Sequence, residues 1–471
     1  MTKMDQPKTI HELTTDLASK KISVTEVVAD YLTKIDQRNG ELNAFLTVAA
    51  AEAKEKAKEA DAVIAHDPDI FTKKPFFGIP VGHKDIFLTR GLKTTAGSKV
   101  LANYIPQYSS TVVKKLEAAG AITLGKLNCD AWAHGASGEN SDFGPTKNPH
   151  NLDYVPGGSS SGSAAAVAAD LLPFATGTDT GGSIRQPANF CGVVGLKPSY
   201  GRVSRYGIVA MASSLDSIGH LTHDVYDAAA VLEITAGKDP YDASTTDLPV
   251  PTYTKLLDQP LPKKFKIGIA REYLEGLTDK DVLSSLEAAK AILARMGVEV
   301  IEISLPHTKY GIAVYYIVQP SEVSSNLARY DGIRYGNARA SFGDEAKRRI
   351  MIGTYTLSAG YYDAYYLKAM QVRTLIRQDF DQAFGEVDAL LSPTSPTPAF
   401  KLGQNTADPL AMYLADVYTV TANLAGLPGI ALPTGKTKEN LPLGIQFLTA
   451  QYTEEKLLNL AYHFEKTLHG K

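Results

Sequence analysis

Residues 177–187 read Gly-Thr-Asp-Thr-Gly-Gly-Ser-Ile-Arg-Gln-Pro. Two adjacent glycines directly before Ser183 let the backbone fold so that several N–H groups face one point. That is how an oxyanion hole is built, each donor contributing roughly 3–4 kcal/mol in known cases. Thr180, Gly181 and Gly182 are therefore candidate oxyanion-hole residues and Ser183 a candidate nucleophile, although an ordinary Gly-Gly turn uses the same residue types. Upstream, Pro156-Gly-Gly-Ser-Ser-Ser-Gly-Ser-Ala164 contains Gly158-Ser-Ser-Ser-Gly162, which satisfies the GxSxG of a nucleophile elbow. That elbow needs a strand immediately before it. Here Pro156 sits where the strand should end, so a Gly/Ser loop capping the Ala-rich segment Ser163–Leu172 is the competing reading. The Ala-rich segment itself reads as a helix with small residues all round, which neighbouring backbone can approach closely.

A serine hydroxyl is a poor nucleophile until something removes its proton. Histidine is the usual base, but His83, His134, His220 and His223 match no nucleophile–base motif. A lysine can serve if desolvation leaves it neutral. Lys84 follows the apolar Gly78-Ile-Pro-Val, where burial is plausible, whereas most lysines lie on the surface. Asp85 beside it would raise the lysine pKa if it pointed the same way, so orientation is decisive.

Further outward, Thr9 with Glu12 and Ser23 with Glu26 form capping boxes. They predict helices near 10–19 and 24–37, with a third through 48–65. Ile79–Val81 and Ala121–Leu124 read as short buried strands. Residues 237–263, rich in Pro, Asp and Thr, read as a long surface connection. A strand at 264–270, a helix near 278–296 and a strand at 298–305 then form a strand–helix–strand unit. A Tyr-rich helical region to about 384, strands near 388–392, 429–432 and 443–448, and a helix near 453–467 close the chain. This order fits an α/β architecture around one large mixed sheet. Gly429–Thr437 ends in Gly-Lys-Thr, but its first glycine sits one residue too early for a phosphate loop and its interior reads as a strand.

Composition narrows the function classes. The chain has 471 residues with 48 Lys and Arg against 51 Asp and Glu, a formal net charge of −3, which gives no basic field for holding nucleic acid. Two cysteines are too few for a disulfide framework. No HExxH or CxxC spacing suggests a metal. No segment approaches the roughly 20 apolar residues of a membrane span, and the N-terminus lacks the apolar stretch of a signal peptide. A cytoplasmic protein is expected.

Three strings together resemble the amidase signature family: Lys84-Asp85 after Gly78-Ile-Pro-Val, Pro156-Gly-Gly-Ser-Ser-Ser-Gly-Ser-Ala, and Asp179-Thr-Gly-Gly-Ser-Ile-Arg-Gln-Pro. Their spacing agrees too, Ser159 standing 75 residues after Lys84 and Ser183 another 24 on. The resemblance implies the amidase signature fold, one large mixed sheet flanked by helices on both faces, with residues 1–471 as a single domain. Within it would lie N-terminal helices over 1–65, the signature core over about 76–235, and a substrate-binding half over about 264–471. It also implies a Lys84–Ser159–Ser183 triad, in which Ser183 forms the acyl-enzyme and Ser159, carried on a cis peptide, relays the proton to Lys84. Asn326–Gly336, Arg348–Tyr366 and Asp408–Asp416 further resemble the glutaminase subunits of the tRNA-dependent amidotransferases. That likeness implies glutamine as substrate, with Arg349 for its carboxylate, Asp416 for its amino group, and Tyr315 and Ser137 nearby. It implies partner subunits B and C in a heterotrimer and Glu-tRNA(Gln) held mainly by a partner. ATP and Mg would be used by the complex, and neither a cofactor in this chain nor a membrane is implied. A free-standing amidase of small amides is the alternative. The chain departs from the usual pattern at Gly82-His83, Ile86-Phe87, Ser161 and Asn128–Gly138, the last replacing a stretch normally richer in Met, Phe, Ser and Thr.

Overall fold

The computed structural model describes residues 7–330 and 337–470. Both capping boxes form, opening the helices Ile10–Ala18 and Val24–Leu42. Each hydroxyl cap satisfies an N–H that the first helical turn leaves unpaired. The third helix spans Ala50–His66.

The described strands are β1 (Phe45–Val48), β2 (Pro80–Lys84), β3 (Ile122–Leu127), β4 (Phe174–Asp179), β5 (Val194–Lys197), β6 (Ser217–Thr222), β7 (Lys266–Ala270), β8 (Glu299–Ile303), β9 (Ala389–Pro393), β10 (Gly429–Lys436) and β11 (Pro442–Leu448). They make one sheet in the order β1-β3-β2-β4-β6-β5-β10-β11-β9-β7-β8. It is mixed: β2 runs parallel to β3 and β4, and β7 parallel to β8 and β9. The remaining neighbours are antiparallel. Every residue of β2, β3, β4, β5 and β6 is buried. Successive strand residues point to opposite faces, so this part of the sheet is covered on both.

Several expectations shift. Lys84 is the last residue of β2 rather than a loop residue after it. The Ala-rich helix runs over Ser161–Ala168 and stops short of 172 because Asp170 turns the chain in the left-handed region, φ 55°, while its carboxylate accepts from Lys34 at 2.6 Å. Residues 174–179 form β4, and β1, β5 and β6 were not foreseen. The 237–263 connection is clamped to the core: Arg202 donates to Leu248 O and Pro249 O at 3.1 and 2.7 Å. Within it, Asp239 and Asp242 are buried. Gly429–Lys436 is a strand, as its interior suggested. The Tyr-rich region resolves into helices Gly311–Leu327, Asp344–Thr356 and Lys368–Ala383 with a π-helical turn at Asp363–Leu367. Positions 331–336 of the Asn326–Gly336 motif lie outside the described residues. Among the described residues no helix is long and apolar enough to cross a membrane.

Candidate active site

Parallel pairing of β2 with β4, His83 against Thr176, brings their carboxyl ends to one edge of the sheet. Lys84 ends β2 there, and the 180–184 loop leaves β4 beside it. Lys84 Nζ donates to Ser159 Oγ at 2.9 Å and to Thr178 Oγ1 at 2.8 Å. Lys84 and Ser159 are fully buried, while Ser183 keeps 8% exposure. The Gly158–Ser159 peptide is cis. Ser160 N–H donates to Ser183 O at 3.2 Å, stitching the two serine loops together.

Burial brings the Lys84 pKa down to about 8, against the upward pull of Cys129, Asp130, Asp179 and Asp216. Asp85 is not among these. Its carboxylate turns away to accept from Thr95 N–H at 2.8 Å and from the Thr95 hydroxyl, and pairs with buried Lys126 at 3.3 Å. Burial likewise holds His83 and His220 neutral, at about 3. Among the described residues no histidine hydrogen-bonds Ser159 or Ser183. No group of three or more His, Cys, Asp or Glu residues is disposed to hold a metal there either.

The 180–184 loop is organised by Asp179. Its carboxylate accepts from Gly182, Ile184 and Arg185 N–H at 2.8, 3.2 and 3.3 Å and takes the Arg185 fork at 3.0 Å through both Nε and Nη2. Burial pushes Asp179 up, but the Arg185 charge and hydrogen bonds outweigh it and hold the carboxyl at about 2. Arg185 also reaches Gln446 Oε1, Thr419 O and Asn423 Oδ1 at 2.7, 3.0 and 2.7 Å, which ties the loop to the C-terminal part of the sheet. The double glycine is needed for close approach. A Cβ on Gly181 would lie 2.6 Å from the Tyr315 ring, and one on Gly182, whose φ is +135°, 2.3 Å from Thr419 Oγ1. Gly182 therefore contributes shape, since its own N–H is donated to Asp179. Thr180 Oγ1 donates to Asp216 at 2.8 Å.

A cavity of about 260 Å³ has Ser137, Tyr316, Glu345, Arg349 and Tyr413 in its wall; Tyr315 and Asp416 do not line it. The three triad residues do not line it, but Ser137 lies beside the residue that precedes Ser159: a Cβ on Gly158 would stand 3.0 Å from Ser137 N. Arg349 is buried, donates from Nε to Glu345 at 2.7 Å, and lies over the rings of Tyr316 and Tyr413. Those rings stack 3.8 Å apart. Tyr316 OH donates to Asp416 Oδ2 at 3.1 Å, and burial raises Asp416 to about 7. Tyr315 meets Tyr316 edge to face, so its place is between the 180–184 loop and the cavity.

The family model described as Amidase matches residues 26–458. The chain belongs to the amidase family. Among its relatives, the first subunit (the one lettered A) of the glutamyl-tRNA(Gln) amidotransferase of Koribacter versatilis is 51% identical, over 96% of each chain. Its counterpart in Geotalea daltonii is 52% identical over 97% of this chain and 96% of its own. Among solved structures, the corresponding glutamyl-tRNA(Gln) amidotransferase chain of Thermotoga maritima superposes with a TM-score of 0.83 at 42% identity, covering 98% of this chain and 94% of that one. The peptide amidase of Stenotrophomonas maltophilia gives 0.84 at 30% identity, covering 98% and 97%.

In this amidase, sequence reading missed four contributors: Thr178, the Asp179–Arg185 anchor, Tyr316 and Glu345. Asp179 and Arg185 stood inside the 177–187 motif, six residues apart, and a buried loop rich in glycine needs such an anchor. Thr178 and Tyr316 carried no signal that distinguishes them from core residues.

Proposed function

We propose that the chain is the glutaminase subunit of a tRNA-dependent amidotransferase. The observation that carries the proposal is the buried Lys84–Ser159 hydrogen bond beside the Asp179-anchored Ser183 loop, within reach of a pocket holding Arg349. In its neutral form Lys84 accepts a proton from Ser159, which accepts one from Ser183. Ser183 Oγ then bonds to the side-chain amide carbon of glutamine. The carbonyl oxygen becomes an oxyanion facing N–H groups of the 180–183 loop, with Gly181 and Ser183 as donors because Gly182 N–H is engaged. As the C–N bond breaks, the relayed proton leaves with ammonia. Water, deprotonated by the same relay, then cleaves the ester to release glutamate and restore Ser183.

Glutamine fits the pocket by charge. Arg349 offers a planar fork to a carboxylate, and Asp416 offers a carboxylate to an ammonium. Ammonia would pass to partner subunits B and C, which would use ATP and Mg to convert Glu-tRNA(Gln) to Gln-tRNA(Gln). The relatives' subunit names support partners, and the chain's near-neutral charge supports tRNA being held elsewhere. Residues 1–471 then act as one amidase domain in the cytoplasm. The test is glutamine hydrolysis by the chain alone, then with partner subunits, ATP and Glu-tRNA(Gln) added in turn. Hydrolysis of simple amides in preference to glutamine, indifferent to every addition, would instead identify a free-standing amidase.

A further inference from the structure

Asp130 is a carboxylate that the triad does not use directly. It is fully buried and accepts two hydrogen bonds from the 134–140 loop, Gly138 N–H at 3.1 Å and Asn140 N–H at 2.9 Å. Gly135 of that loop presses on it, since a Cβ there would stand 2.4 Å from the carboxyl carbon. From the other side comes the relay serine's own segment. Asp130 N–H donates to Ser159 O at 3.3 Å, and a Cβ on Gly158 would fall 2.0 Å from Asp130 Oδ2. One carboxylate thus touches both the wall that carries Ser137 and the backbone that carries Ser159. A buried charge held by two N–H groups costs stability, yet each N–H takes a different oxygen, Gly138 Oδ2 and Asn140 Oδ1, so an amide could accept only one of them.

We infer that Asp130 is a positioning residue for the triad: its carboxylate holds the pocket wall against Gly158, the residue before Ser159, and its charge acts on Lys84. This rests on the reading of Ser183 as nucleophile and Lys84 as base. The other groups facing Lys84 are Cys129, Asp179 and Asp216. Of these, Asp179 is neutralised by Arg185, and burial raises the Cys129 thiol to about 12. Burial raises Asp130 to about 6, so it is ionised where Lys84 titrates. Removing its charge makes Lys84 easier to deprotonate.

The test uses the full chain and a probe that needs no amide substrate. Phenylmethanesulfonyl fluoride sulfonylates an activated serine: Ser183 Oγ bonds to sulfur, fluoride leaves, and the proton passes through Ser159 to Lys84. Labelling is followed by intact mass and peptide mapping as a function of pH. In D130N, labelling of Ser183 is expected to slow about 10- to 100-fold, the loss typical of a displaced reacting group. The acid limb of its pH profile is expected to move to lower pH. D130E, which keeps the charge and moves it, is expected to slow labelling with the limb in place. D130N labelled at the wild-type rate with an unmoved limb overturns the inference. Should D130N fail to fold, D130E at the wild-type rate overturns it equally. A wild-type chain that labels elsewhere than Ser183 overturns the triad reading itself, and this inference with it.

Discussion

Lys84 has two hydroxyl partners and, among the described residues, no carboxylate within ion-pair distance, so burial dominates its behaviour. Its pKa near 8 means that glutaminase activity should rise with pH through about 8, as the neutral form appears. Lys84→Arg should be inactive, because guanidinium stays charged; an arginine variant near the wild-type rate would remove Lys84 from the mechanism. The same shift has a sign for stability. The folded pKa lies below the ordinary 10.5, so the unfolded chain binds the proton more tightly. Stability therefore rises with pH between about 8 and 10.5, and at neutral pH the charged lysine is a cost of a few kcal/mol. Lys84→Met should thus melt no lower than wild type at pH 7 while losing activity, which thermal unfolding beside a glutaminase assay would check. Ser183→Ala should lose roughly 10³-fold or more, and a glutamyl ester trapped on Ser160 instead would reject the nucleophile. Lys84, Ser159 and Ser183 were legible in the sequence because their neighbours are unusual at fixed spacing. Thr178 was not, because only the parallel register of β2 with β4 brings it to Nζ. Nor was the innocence of Asp85, which depends on Lys126 arriving from β3.

At the scale of elements, the 180–184 loop is shaped by what presses on it. Gly182→Ala should retain the fold by circular dichroism yet lose most activity, since a Cβ meets Thr419 and the left-handed φ disfavours alanine. Activity near wild type would mean that the loop is not held as described. Arg185→Met should act differently, through stability. It leaves Asp179 buried without its ion partner, a change that typically costs about 3–5 kcal/mol, to be read as a lowered midpoint in urea. Here the helices and most strands were legible in the sequence, and β1, β4, β5 and β6 were not. The capping boxes and 3.6-residue periodicity marked the N-terminal helices within a few residues. β4 reads Phe-Ala-Thr-Gly-Thr-Asp, and its small residues, buried on both faces, give no alternation to detect. Fully buried β5 and β6 hid for the same reason, inside a Gly- and Ser-rich stretch that resembles loop.

At the scale of the molecule, the pocket draws on distant segments: Ser137 from the first third of the chain, Tyr316 and Glu345–Arg349 from the third quarter, and Tyr413 near the end. Arg349→Ala should raise the KM for glutamine, since a hydrogen bond to a charged group contributes about 1.5–3 kcal/mol. A carboxylate-free amide should be spared. Partner subunits should stimulate glutamine hydrolysis about five- to 150-fold, the range of a coupling free energy of about 1–3 kcal/mol.

The place of the last hairpin in the sheet sets an order of assembly. β10 pairs with β5 and β11 with β9, so the strands that join the two halves are made after every other described strand. Until residues 429–448 leave the ribosome, β5 and β9 remain open edges, and Arg185 lacks Gln446. A nascent chain is therefore expected to be inactive, and one truncated before residue 429 presents two unpaired edges that invite association with other chains.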